Sequence, residues 1–209
     1  MKPFLLIALY SLALFFISYF LLDVEGMFVN AIAKQTEIEI PENVLLDTLE
    51  DIRYWNKFSV LFTFLILVIK CWLIALVLYA GLFFANLHQG IKLLRLFKVA
   101  VFAESILVIA GLVKIVIVAA GDFSYEEFSV FYPLSILSLF DLNELNNLFI
   151  YPLQLVNLFE FAYCFLLVFF FHQEFEVDMG QSAKVVIASY SFALVFWLVL
   201  ILFLTLNFT

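Results

Sequence analysis

Four ionisable side chains lie inside runs that are otherwise hydrocarbon: Lys70, Glu104, Lys114 and Glu160. The stretch ILVIAGLVKIVIVAAG, residues 106–121, is typical, with Lys114 near its middle. A charge at the centre of a bilayer costs about 2.5–3.5 kcal/mol on insertion scales, so each of these groups must pair, reach the interface or face water. Two lysines and two glutamates allow two kinds of chemistry. Lys–Glu pairs between helices would pin a bundle together. A connected polar path would instead carry protons or solutes. Pinning is the favoured reading, because a transport path calls for a larger polar lining and for paired Gly/Pro breaks in the apolar runs. A charge facing a partner subunit is a third use.

Depth limits who can meet whom. At 1.5 Å of rise per residue, Lys114 lies about 9 Å below the outer end of its run, Glu160 about 14 Å, Lys70 about 18 Å and Glu104 about 24 Å. Glu160 can therefore bridge Lys114 and Lys70, and Glu104 can meet Lys70. Glu104 and Lys114 cannot pair with each other, since they are separated by about 15 Å along one helix and by nearly a quarter-turn around it. The expectation is a network joining three helices, with Glu160 as the partner of Lys114. Lys114 could alternatively extend its stem to the nearby interface.

Other chemistry is absent from the sequence. There is no HExxH, GxSxG, Walker loop or CxxC. Cys71 and Cys164 both lie within apolar runs, as small buried hydrophobes do. His88 and His172 fall at the ends of runs, where an imidazole caps a helix or meets headgroups. No enzyme, cofactor or metal centre is expected.

The elements that hold these charges follow from composition. The 209 residues are 67% hydrophobic and 13% charged, whereas a soluble domain is nearer half apolar and a quarter charged. Such a chain belongs in a bilayer. Its 28 phenylalanines suit helix faces that meet acyl chains. The net charge of −8 with ten dispersed cations offers nothing to neutralise phosphates, which excludes nucleic acid as a partner. Five runs, about 3–22, 58–86, 99–120, 151–171 and 185–206, are each long enough to cross about 30 Å of hydrocarbon. With no water to bond the backbone there, they must be helices. The first run is too long for a signal-peptide core and reads as an uncleaved span. The expected fold is an all-α, polytopic bundle forming one membrane domain.

Lys2, Lys92, Arg95, Lys98 and Lys184 fall on one side of that topology, against Lys34, Arg53 and Lys57 on the other. The positive-inside rule then puts the N-terminus inside and the C-terminus outside. Each long outer loop is expected to hold an interfacial helix. In the first, an alternating segment ends at Pro41 and Asn43 starts a helix. Its apolar face includes Leu45, Leu49, Ile52 and Trp55, opposite Asp47, Glu50 and Asp51. That face either folds on the helix ends or docks a partner protein. In the third loop, Ser124-x-x-Glu127 reads as a capping box and Asp141-x-x-Glu144 as a second helix start. The apolar stretch 130–140 is too short to span and reads as an interfacial or shallow re-entrant helix.

The C-terminal half carries FYPLSILSLF, then YPLQLVNLFEFAYCFLLVFFF, then GQSAKVVIASYSFALVFWLVLIL. These segments resemble the Yip1-domain family of five-helix membrane proteins. The likeness lies in YPLS, in Asn157, Glu160 and Tyr163, and in Gly180, Ser182, Lys184, Ser189 and Tyr190. It implies five spans with the N-terminus inside, and little chemistry. Because Lys2-Pro3 leads straight into the first run, the expected relative is bacterial-type and resident in the cytoplasmic membrane. The function expected from sequence is an accessory or scaffolding subunit of a larger membrane complex, surrounded by lipid and bound to membrane protein partners. The alternative is a transporter or permease component with a buried Lys/Glu site.

Overall fold

A computed structural model describes residues 2–35, 42–87, 90–142 and 145–208. The alternating segment before Pro41, His88 and Glu144 lie outside the described residues. The rest is helical, with no strand among the described residues. In chain order the helices are α1 (Pro3–Leu21), α2 (Val24–Gln35), α3 (Glu42–Asn56), α4 (Ser59–Phe84), α5 (Leu93–Ala103), α6 (Ser105–Ala120), α7 (Tyr125–Val130), α8 (Asn147–Leu155), α9 (Leu158–Phe175) and α10 (Met179–Phe208). Five stretches are long and apolar enough to cross a membrane: α1, α4, α5 with α6, α9 and α10. The chain is an all-α, integral membrane protein.

The third span starts at Leu93, six residues earlier than expected, so Arg95 and Lys98 belong to a helix rather than a loop. It bends at Glu104, between α5 and α6. There the Ser105 hydroxyl donates to the Phe102 carbonyl at 2.8 Å. A serine bonding back in this way competes with the backbone ladder and bends helices. α5 is the core of the bundle. Leu96, Phe97, Val99, Ala100, Val101 and Ala103 are all buried, and the helix packs against α4, α9 and α1.

Lipid tails are as apolar as leucine, so close helix packing depends on small residues. α4 shows this along one face, where Cys71, Ala75, Leu78 and Leu82 are buried. Gly81 comes so close to α10 that an added Cβ would lie 2.6 Å from the Ser189 Cβ. The outward faces carry Phe20, Phe84, Phe165, Phe192 and Phe203, all exposed as a lipid-facing surface requires.

The two ends of the bundle differ. At one end Phe4 packs on Phe97 and Arg95 bonds Glu174, which gathers the starts of α1, α5 and α10 with the end of α9. Asp178 opens α10 there by accepting from the Gly180 amide at 2.9 Å. The His172 Nδ1 donates to the Val177 carbonyl at 2.6 Å, closing the same turn. At the other end Phe28 of α2 meets Tyr125 of α7, with ring centroids 5.7 Å apart. α2 was not expected from the sequence. Asp23 starts it, accepting from the Gly26 amide at 2.9 Å. α3 begins at Glu42, so Asn43 lies within it rather than capping it.

The third loop departs most from expectation. The capping box is present, with the Glu127 amide donating to Ser124 Oγ at 3.2 Å and the Ser124 amide to Glu127 Oε2 at 2.8 Å. Past Val130, residues 131–140 leave the α-helical path, apart from a 3-10 turn at Ile136–Leu139, so the helix expected over 130–140 does not form. Pro133 supplies no N–H, and Leu134 adopts a left-handed φ of 55°. The Ser135 and Ser138 hydroxyls bond the carbonyls of Tyr132 and Ser135, which offers the backbone an alternative to a helix. The next helix starts at Asn146, whose Oδ1 accepts from the Leu148 amide at 3.0 Å, not at Asp141.

Candidate functional site

The expected fourth span, 151–171, is broken in two. α8 ends at Leu155, Val156 and Asn157 are extended, and α9 starts at Leu158. The loop at residues 131–140 fills the gap. The Ile136 amide donates to the Val156 carbonyl at 3.0 Å and the Leu158 amide to the Leu134 carbonyl at 3.2 Å, forming a bridge between Ser135 and Asn157. Buried backbone groups that lose a helix partner thus find one across the gap. Asn157, itself buried, secures the break. Its Oδ1 accepts from the Glu160 amide at 2.8 Å, and its Nδ2 donates to the carbonyls of Gln154 and Leu155, both at 3.1 Å. Gln154 Nε2 reaches across to the Val130 carbonyl at 3.1 Å.

Beside this break is a cavity of about 330 Å³, reached by Lys70, Glu104, Tyr132, Gln154, Asn157 and Glu160, with Leu14, Leu107 and Val108 supplying apolar wall. Three of the four charges singled out from the sequence share it. Lys70 Nζ, on α4, lies 2.6 Å from Glu104 Oε1 at the α5–α6 bend. It also sits 5.6 Å from the centre of the Tyr163 ring, which adds a favourable cation–π term. Glu104 is 2% exposed, and its Oε2 has no hydrogen-bond partner. The buried Tyr163 hydroxyl lies beside that carboxylate but outside hydrogen-bond geometry. Glu160, in the first turn of α9, accepts from the Tyr190 hydroxyl of α10. Nearby, Trp197 Nε1 donates to the Tyr151 hydroxyl at 2.7 Å. At the mouth, burial pushes the Tyr132 phenol up to about 12, and Glu160 and Glu104 push in the same direction. The cavity thus gathers two carboxyl groups, Glu104 and Glu160, against one ammonium, Lys70.

Lys114 does not join it, which corrects the expected Lys114–Glu160 pair. Its Nζ lies 4.7 Å from the Phe128 ring centre on α7, so its stem runs outward toward the loop. The physical reason is rotation. The third span carries Glu104 and Lys114 on different faces, and turning Glu104 toward Lys70 turns Lys114 away from α9.

The face of α3 is divided. Leu45, Leu49 and Ile52 are half-buried, while Trp55 is exposed and packs on Phe62 with centroids 6.1 Å apart. Arg53 Nε pairs with Glu25 Oε2 of α2 at 2.9 Å. Ile52 and Trp55 line a second cavity of about 410 Å³ against Val24 and Glu25.

One cluster was missed from the sequence. Glu174 at the end of α9 takes Arg95 Nε at 3.0 Å and Lys98 Nζ at 2.7 Å. Arg95 also lies 4.7 Å over the Phe175 ring and donates to the Glu174 carbonyl. The spacing of Arg95 and Lys98, three residues apart on a helix face, is the signal that could have revealed it. Among the described residues, no three His, Cys, Asp or Glu side chains come together in a way that could hold a metal ion.

Comparison of the chain with protein-family models, with curated protein sequences and with solved structures finds no match. The resemblance to the Yip1-domain family therefore rests on its residues alone, and function has to be read from the cavity and its walls.

Proposed function

We propose that this multi-pass membrane protein handles a small polar solute at the cavity beside the α8–α9 break, as a transporter or permease component and not as an enzyme. One observation carries the reading: a helix break where the fourth span begins, next to buried charges. A discontinuous membrane helix exposes helix ends and irregular backbone, and such backbone is tolerated at membrane depth where protein covers it or where it lines a cavity. Here the interruption at Val156 and Asn157 lies beside a cavity shared by Lys70, Glu104 and Glu160. Helix pinning alone explains the Lys70–Glu104 pair, but it gives no reason for the open volume around it. The clustering of Arg95, Lys98 and the starts of α1 and α10 at one end supports an N-terminus-inside orientation. A bacterial cytoplasmic membrane and a place among Yip1-like proteins are part of the same proposal.

The test is water access. With Cys71 and Cys164 replaced by alanine, Gln154→Cys in native membranes is expected to react with a hydrophilic maleimide. Phe192→Cys, on the outward face of α10, is expected to stay unlabelled. Equal silence at both positions would remove the cavity reading.

A second reading, an accessory subunit, has support in α3, whose Val44, Leu46, Tyr54 and Trp55 are exposed. A membrane partner docked there would co-purify in mild detergent and be released by Leu46→Asp.

A further inference from the structure

Glu160 is a carboxylate in the membrane region with which no cation forms an ion pair among the described residues. Among the described residues, the ion pairs involve Glu25, Glu104 and Glu174. Lys70 is committed to Glu104, and Lys114 stands over Phe128. Among the described residues Glu160 accepts from the Tyr190 hydroxyl, and the cavity it lines holds one ammonium, Lys70, against two carboxyl groups, Glu104 and Glu160. Water can fill the hydrogen-bond vacancies of such a space, but it cannot balance one ammonium facing two carboxyl groups.

From this we infer that the cavity binds a small alkylammonium, with its charged head on Glu160 and its hydrocarbon against Leu107 and Val108. This inference rests on the solute-handling reading and names the class of solute. Three features select that class. The volume, about 330 Å³, falls at the lower end of ligand pockets, which run roughly 300–1,000 Å³. A bare alkali ion would leave the leucine and valine wall unfilled. An anion would meet two carboxyl groups against a single ammonium that is already paired with one of them. The chain also contains its own precedent. Lys70 places a primary ammonium between a carboxylate and an aromatic ring in this same cavity.

The test uses purified protein in detergent at fixed pH and ionic strength, with n-butylammonium chloride as the probe. A saturable rise in Tm is expected with butylammonium and not with sodium chloride, butanol or butanoate. Glu160→Gln should raise the half-saturating concentration about tenfold or more, the loss expected when one charge-assisted hydrogen bond is removed. Should that variant fold poorly, Leu107→Phe fills the apolar wall while leaving every charge in place, and it should abolish the shift. Equal shifts with sodium and butylammonium, or a butylammonium shift unchanged in both variants, would overturn the inference. Labelling of Gln154→Cys separates the two levels. Labelling without a butylammonium shift removes the ligand class and leaves the cavity reading, whereas absence of both removes both.

Discussion

The protein contains two carboxylate clusters that use the same residue types to opposite ends. At the edge of the bundle, Glu174 faces two cations, Arg95 and Lys98, and all three are partly exposed. In the interior, Glu104 and Glu160 share one cavity with a single cation, Lys70, and Glu104 is almost wholly shielded. The edge cluster has more positive than negative charge and a clear task, tying the start of α5 to the end of α9. The interior cluster has the reverse balance and an open volume beside it. A bundle that needed only cross-links would place them as at Glu174, where water keeps charge inexpensive. The interior arrangement is costly, and the cost makes sense if the site acts on something.

The largest effect should follow from removing Lys70. Lys70→Met strands Glu104 in a buried position, and breaking one partner of a buried pair costs about 3–5 kcal/mol. Thermal unfolding in detergent should show the loss, and Glu104→Gln in the same chain should restore most of it. An edge variant that did as much damage would erase the contrast between the clusters. Glu160→Gln comes next. It weakens one hydrogen bond, from Tyr190, and should lower stability by about 1 kcal/mol while weakening solute binding about tenfold or more. Glu174→Gln should cost about 1 kcal/mol or less, since exposed pairs are worth little, and the loss should shrink in high salt. Lys114→Met is the smallest, within about 0.5 kcal/mol. Combined with Glu160→Gln it should be additive, because residues with no shared partner do not couple. A coupling energy well above 0.5 kcal/mol would reinstate the Lys114–Glu160 pair.

What the sequence revealed and what it hid have separate causes. The spans were legible because hydrocarbon thickness dictates run length, and α1 and α4 lie close to where the runs put them. Depth counting brought Lys70 within reach of Glu104 because axial rise is fixed. It could not give rotation about each helix axis, so Lys114 was assigned to Glu160 when it turns toward Phe128. The break at Asn157 carried a local sign. Asn157-x-x-Glu160 has the same cap spacing as Ser124-x-x-Glu127, and Pro152 stands just before it, but unbroken apolarity across 151–171 masked both. The non-helical path of residues 131–140 depends on its pairing with Val156 and Leu158, a tertiary partnership that no local pattern announces.

The central claim is that the interior cavity is a water-accessible region of net negative charge. It is tested most directly by the reaction rates of Gln154→Cys, in the chain lacking its native cysteines, with a cationic and an anionic methanethiosulfonate reagent of similar size. The cationic reagent should react faster than the anionic one, relative to their rates with a free thiol, and Glu160→Gln should bring the two rates closer together. Equal rates, or no reaction with either reagent, would contradict the claim.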